Sequence, residues 1–529
     1  MKFGKNAGAK ALAIVLALGS STSATAQTAK PEKLGSAYVQ CDGNPNNMSA
    51  GESAARLLGA ITLLALFAPA PEGADPSKRK FGAEGVDICT GLIEGEKKET
   101  NAYRRINLIL GRAIHRIEAK DYDGAVADAE LARKEAEAGG FMANPYYVRS
   151  QARAFDLIPA AALYRAGKTQ EARQAALRNL GDSRFLLTPL MGVPAYMLNE
   201  PAALPLEADM RGWRSRLGFG VNEQANRLED WGDFKQAAIV REALVDFNAR
   251  TAPELRSTAS MARSAITLAL AGDTALSDKR IAEARANSDK RRAEGSTERD
   301  ASETVELFDL HGIIRQTQNG DVKTARRLFA ARSQWVAASF GSVAEVTRRL
   351  RDGAAPDELI GGLSRDPAAL WKDRLDTARA EALAKDSDNA TLFRLIPGVD
   401  SAAAYRNLSK QVWRTDKSKL VLPVKDPAKS KIKMENMFLY GIDFDAVFPA
   451  YALHAALLAK SRGHQGFAMV PMATEQYVFA AFITGNKGEP GLSAPIFADA
   501  DEVIAALSPV IPSPETIKAE AATKKKSGT

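Results

Sequence analysis

The chain reads as mainly α: a helical-repeat array (an α-solenoid) with a disulfide-stapled helical cap before it and a small α+β domain after it. Three observations predict this. Small residues and glycines recur at fixed offsets over residues 101–345. The only two cysteines, Cys41 and Cys89, both precede that region. Alternating, β-branched and aromatic texture is confined to the chain beyond about Leu392.

Residues 1–26 read as a signal peptide. Lys2, Lys5 and Lys10 form a basic start, Ala11 to Leu18 an apolar core, and Ala24-Thr25-Ala26 a small-x-small cleavage site. The apolar run is too short to span about 30 Å of hydrocarbon, so no transmembrane span is expected once it is cleaved. No cysteine follows it directly, which argues against a lipid anchor. Cleavage removes three lysines and no acid, lowering the formal charge from +7 to +4. That mild balance gives no support to nucleic-acid binding. The expected compartment is periplasmic or secreted.

Residues 27–100 are the expected cap. An isolated cysteine pair in an exported chain reads as a disulfide, and Cys41 with Cys89 would close a loop of 48 residues. Within it lies a very apolar helix, Ala54 to Phe67, opened by the capping box Ser49-Ala-Gly-Glu52 and stopped by Pro69 and Pro71.

Residues 101–388 carry the array. Ile106, Ile109, Leu110, Ala113, Ile114 and Ile117 share one helical face, and Ala125, Ala129, Ala132 and Ala136 share another. A twelve-residue offset joins Ala113 to Ala125, Ala160 to Ala172, Ala225 to Ala237 and Ala265 to Ser277, with Ile313 and Ala325 as a fifth copy. Gly167, Gly232, Gly272 and Gly320 stand five residues before the second member, where each pair turns; Lys120 holds that place in the first. These features resemble the tetratricopeptide repeat family, whose units pair two helices through a glycine-containing turn. The resemblance implies a stacked array with a concave surface that holds a peptide or partner domain. The spacings of 47, 65, 40 and 48 residues between anchors exceed the family's ~34, so the array is divergent. A helical bundle of the same composition is the alternative.

Further helix starts are read at Thr251-Ala-Pro-Glu254, at Ser342-Val-Ala-Glu345 and at Asp366-Pro367. Asp278 to Glu306 is dense in charge and reads either as a solvated helix and loop or as a charged recognition face. Phe185 to Leu204 holds three prolines yet is rich in Leu, Met and Tyr. It either enters the core or lines the groove, in which case Met191, Tyr196 and Met197 are the candidate partner-binding residues.

Residues 389–513 form the expected α+β domain. Strands are read at Lys419–Val424, Ile432–Ile442, Gly466–Ala473 and Gln476–Thr484, the last two as an antiparallel hairpin. The nearly all-apolar helix Phe444–Lys460 has to lie on the sheet. Asp499 caps a last helix, and residues 514–529 read as a disordered basic tail. The run YGIDFDAVFPAYALHAALLAKSRGHQGFAMV resembles a domain of small bacterial envelope lipoproteins, which implies an envelope location. Tyr405 to Lys433 carries nine Lys and Arg against two Asp. It is a solvated linker, or it binds an anionic envelope polymer or lipid through residues such as Lys429 and Lys431. His454 and His464 flank a turn without other ligand types, so no metal or other cofactor is expected. His115 reads as a helix-surface residue. No nucleophile elbow, zinc-protease helix or phosphate loop is present, so no catalytic residues are assigned. The expectation is a scaffold or adaptor for another envelope protein or peptide. The alternative is an envelope hydrolase or transferase with a site in the α+β domain.

Overall fold

The computed structural model describes residues 35–46, 72–185, 216, 220–251, 257–295, 301–332, 334–386, 389–415, 432–433, 444–473 and 478–527. The segment read as a signal peptide, the helix read at Ala54–Phe67, the cap read at Thr251–Glu254 and the strand read at Lys419–Val424 lie mostly or wholly outside these residues.

Helices α1 (Ala37–Asp42) and α2 (Gly82–Glu94) are joined by the Cys41–Cys89 disulfide, with Cα atoms 5.1 Å apart and both residues buried. They close over α3 (Ala102–Glu118), sharing a core with Ile106, Ile109 and Ala113. Arg104, buried, forks onto both carboxylate oxygens of Asp42. The cap also corrects the surface reading of His115, which is fully buried. Its Nε2 lies 2.7 Å from the Cys41 carbonyl and its Nδ1 3.0 Å from Glu118. The cause is long-range: α1 and α2 cover a face that the first helix pair alone would leave in water. Gly85 makes the room, since a Cβ there would come within 2.5 Å of the imidazole.

Five helical hairpins follow. They pair α3 with α4 (Tyr122–Ala138), and, after the short α5 (Pro145–Arg149), α6 (Ala154–Arg165) with α7 (Thr169–Asp182). Next come α8 (Val221–Asp230) with α9 (Phe234–Thr251), α10 (Thr258–Ala271) with α11 (Thr274–Ala293), and α12 (Ala301–Gln318) with α13 (Val322–Ala331). All five turns are built alike. Lys120, Gly167, Gly232, Gly272 and Gly320 adopt left-handed φ values between 64° and 93°. The next residue's N–H then bonds the carbonyl five positions back, as in Asp121 to Arg116 and Asp273 to Leu268. In four turns that next residue is an aspartate whose carboxylate accepts a first-turn N–H of the second helix. One residue ends a helix and its neighbour begins the next.

The twelve-residue offset marks where the paired helices cross. Each of its ten members is no more than 2% exposed. At the fourth crossing Ser277 Oγ donates to the Ala265 carbonyl at 2.7 Å, a contact only small residues allow. Buried ion pairs brace two hairpins, Arg112 with Asp128 in the first and Glu229 with Arg241 in the third.

Helix α14 (Phe340–Arg351) packs on α8. Its cap is Ser339, three residues before the expected Ser342. Ser342 is buried instead and donates to Glu229, because the start of α14 is pressed against the end of α8. Helix α15 (Pro367–Asp386) begins as read, with the Asp366 carboxylate accepting from Ala369 N–H. Helix α16 (Asn389–Phe393) returns to the beginning of the chain, placing Leu392 in the core beneath α3.

The α+β unit holds α17 (Ala402–Val412), β1 (Ile432–Lys433), α18 (Phe444–Ser461), β2 (Gly466–Ala473), β3 (Val478–Gly485), β4 (Phe497–Asp499) and α19 (Ala500–Leu507). The sheet is antiparallel in the order β1-β3-β2-β4, with Phe467 opposite Thr484 and Ala498. Strand β4 is only three residues long and leaves little pattern to read. The apolar helix α18 lies on one face, where Phe448 and Tyr451 join Phe467 and Phe482. The other face, through Ala468 and Ile483, packs on Ala225, Leu244 and Phe247 of the third hairpin.

The unit is therefore no appendage. From the first half of the chain, Tyr146 and Phe185 enter its core, Tyr146 Oη donates to the Val510 carbonyl at 2.9 Å, and Arg184 pairs with Glu502. The tail read as disordered instead carries α20 (Pro514–Ser527), capped by Ser513 and held to α17 by Arg406 with Glu520. Proline at its first position suits a helix start.

Candidate functional site

Met191, Tyr196 and Met197, and Lys429 and Lys431, lie outside the described residues. Only the leading Phe185 of the apolar stretch is placed, buried in the α+β core. His454 is buried with Nδ1 2.7 Å from the Val412 carbonyl, and His464 Nδ1 meets Thr484 Oγ1 at 2.9 Å. Among the described residues no group of three or more His, Cys, Asp or Glu is placed to hold a metal.

Two concavities lie along the second half. One, of about 500 Å³, sits between α9 and α11 beside Ser493. Three of its ionic groups already serve the fold: Arg280 pairs with Glu242, and Asp246 accepts from Gly491 N–H.

The other is larger, about 660 Å³, and is built differently. The first helices α10 and α12 pack directly, while the second helices α11 and α13 splay. The cleft opens between them, floored by α12. Phe308, Gly312 and Gln316 line that floor at the three/four spacing of one helical face. Gly312 leaves the middle bare, since a Cβ built on it meets nothing within 4 Å. Leu328 comes from α13, Arg332 from its C-cap, and Trp335 from the segment that follows.

The aromatic walls carry cations. Trp335 stacks on Phe329 with centroids 5.1 Å apart, and the Arg332 guanidinium lies 5.0 Å from the Trp335 ring centre while pairing with Asp309. Arg285 of α11 lies 4.7 Å over Phe308 and has no carboxylate partner among the described residues. Beneath the floor His311 is buried, with Nε2 2.9 Å from Ser277 Oγ. Burial first, then the nearby Arg315 and Arg285, push its pKa down to about 4, so the ring is neutral at pH 7. Two arginines thus face one carboxylate.

Two polar atoms in this wall lack partners. Trp335 Nε1 and Gln316 Oε1 are closed off from water without a hydrogen bond among the described residues. Such atoms cost about 1–3 kcal/mol each when left unmade, so they call for an explanation. Apolar surface adjoins them: Leu328 is 39% exposed, and Val336, next to Trp335, 76%.

The cleft left one signal in the sequence. Glycine inside a helix is about 1 kcal/mol less favourable than alanine, so Gly312 marks a place where bare backbone is tolerated or needed. No protein-family model, curated protein or solved structure matches the chain.

Proposed function

We propose that the protein is an exported, tetratricopeptide-like adaptor of the bacterial cell envelope, holding a partner protein or peptide in the cleft over α12. The observation that carries the reading is the pair of unpartnered polar atoms, Trp335 Nε1 and Gln316 Oε1, in the wall of a cleft that sets Phe308, Ile313 and Leu328 beside Arg285, Asp309 and Arg332. A few placed polar groups among apolar ones are the composition of a binding site. The disulfide supports an oxidising compartment. Among the described residues no helix is long and apolar enough to cross a membrane, which agrees with a chain that acts beside one.

The seat is floored by the first helix α12 and opens between the second helices α11 and α13. A photo-crosslinker at Val336, with one at the exposed Phe81 as control, tests it in intact cells. The expected outcome is a reproducible protein adduct from the first site only, lost when Gly312→Leu fills the cleft. No adduct, or one indifferent to Gly312→Leu, would remove the adaptor reading.

A further inference from the structure

We infer that the cleft over α12 takes an extended peptide segment in which an aspartate or glutamate stands beside a large apolar side chain. The inference rests on the adaptor reading and gives that partner its chemistry.

Charge sets the first half of the recognition. Arg332 is answered by Asp309, whereas Arg285 has only the face of Phe308. A guanidinium on an aromatic ring still presents its donors to a carboxylate, and such a pair is bidentate when the geometry allows. His311 adds no charge from below at neutral pH. The cleft therefore favours an acidic group over a basic one.

The unpartnered atoms set the second half. Trp335 Nε1–H needs an acceptor, and Gln316 Oε1 needs a donor. A peptide group offers both. A fatty-acid carboxylate at neutral pH offers acceptors only and would leave Gln316 unanswered. Both side chains line the cleft, so a side-chain rotation is the motion that would present them. The bare backbone at Gly312 lets a second chain come close, and Phe308 and Leu328 receive its apolar side chain. A volume of about 660 Å³ suits a few residues rather than a folded domain.

The full chain is tested by equilibrium dialysis with mass spectrometry. The probes are acetylated, amidated octapeptide pools with a fixed central Glu and the other positions mixed among Ala, Leu and Phe. The matched pool carries Gln at the centre, and laurate is a separate competitor. The Glu pool should be retained about two- to fivefold over the Gln pool, as expected for one ion pair to the exposed Arg285. Arg285→Gln should erase that preference, and Trp335→Phe should lower retention severalfold while keeping the ring. Gly312→Leu should abolish retention without lowering Tm. Equal retention of the two pools, full competition by laurate, or retention unchanged in Gly312→Leu would each overturn the inference. So would a dimer in sedimentation that Gly312→Leu dissolves, because the occupant would then be a second copy. A crosslink at Val336 without Glu preference sinks the ligand chemistry and leaves the adaptor. Glu preference without a crosslink in cells does the reverse.

Discussion

The first hairpin and the fifth share one plan and end in opposite states. In both, a left-handed residue and a capping aspartate make the turn, and small or branched residues meet at the crossing. Around the first pair the faces toward the cap and toward α6 are covered. The disulfide cap closes one side, and Tyr147, 1% exposed, fills the seam toward α6 with Tyr103, Phe141 and Phe155 around it. Around the fifth, Gly312 stands where a side chain would be needed to close the seam between α11 and α13. Hairpin geometry sets the spacing of the helices. The size of the side chains between neighbouring pairs decides whether that spacing becomes core or cleft.

The largest expected effect tests the closed end. Cys89→Ser opens a 48-residue loop, and the chain-entropy estimate puts the loss at about 4 kcal/mol in urea unfolding. Since the Cys41 carbonyl also meets His115, loosening should reach α3, seen as faster hydrogen exchange there. A loss under about 1 kcal/mol would mean that packing alone holds the cap, and the contrast with the open end would shrink.

The next effect belongs to the open end. His311 has a folded pKa of about 4 against an ordinary 6.5. Its folded value is depressed, so acid favours the unfolded chain. The contribution is complete above pH 6.5 and is lost as pH falls toward 4, roughly 3 kcal/mol in all. His311→Gln should flatten the fall in stability between pH 7 and pH 5 by about 2 kcal/mol. An unchanged slope would show that water reaches the ring.

The smallest effects compare two backbone positions directly. Lys120 carries a Cβ into a conformation that the other four turns give to glycine, so Lys120→Gly should stabilise by about 1 kcal/mol. Gly312 is the converse, a glycine with ordinary helical backbone and open space around it. Gly312→Ala should stabilise by about 0.5–1 kcal/mol, read as a rise in denaturation midpoint. If it destabilises instead, the cleft is narrower than described.

The turns, the crossings and the apolar helix α18 were legible because each depends on residues within about twenty positions of one another. So was the cysteine pair, through its isolation in the chain. His115 was not legible, since its burial depends on Cys41, 74 residues away. The place of the α+β unit was hidden for the same reason. Its sheet reads as a two-faced layer, but nothing local says that the third hairpin covers the second face. The cleft is defined by Arg285, Gly312 and Trp335 together, and no short window contains all three. Gly312 alone gave a hint.

The hydrogen bond from Tyr146 to Val510 spans 364 residues, and α16 must come back to α3 before the first core is complete. Contacts of such long range slow folding, because loop entropy is spent before they form. A ribosome adding about 5–20 residues per second needs roughly 20–70 s to pass from one of those residues to the other. Over that interval the first helices exist without their final neighbours, and their apolar faces are available to whatever else is nearby. The lifetime of the nascent first half is governed by residues not yet made.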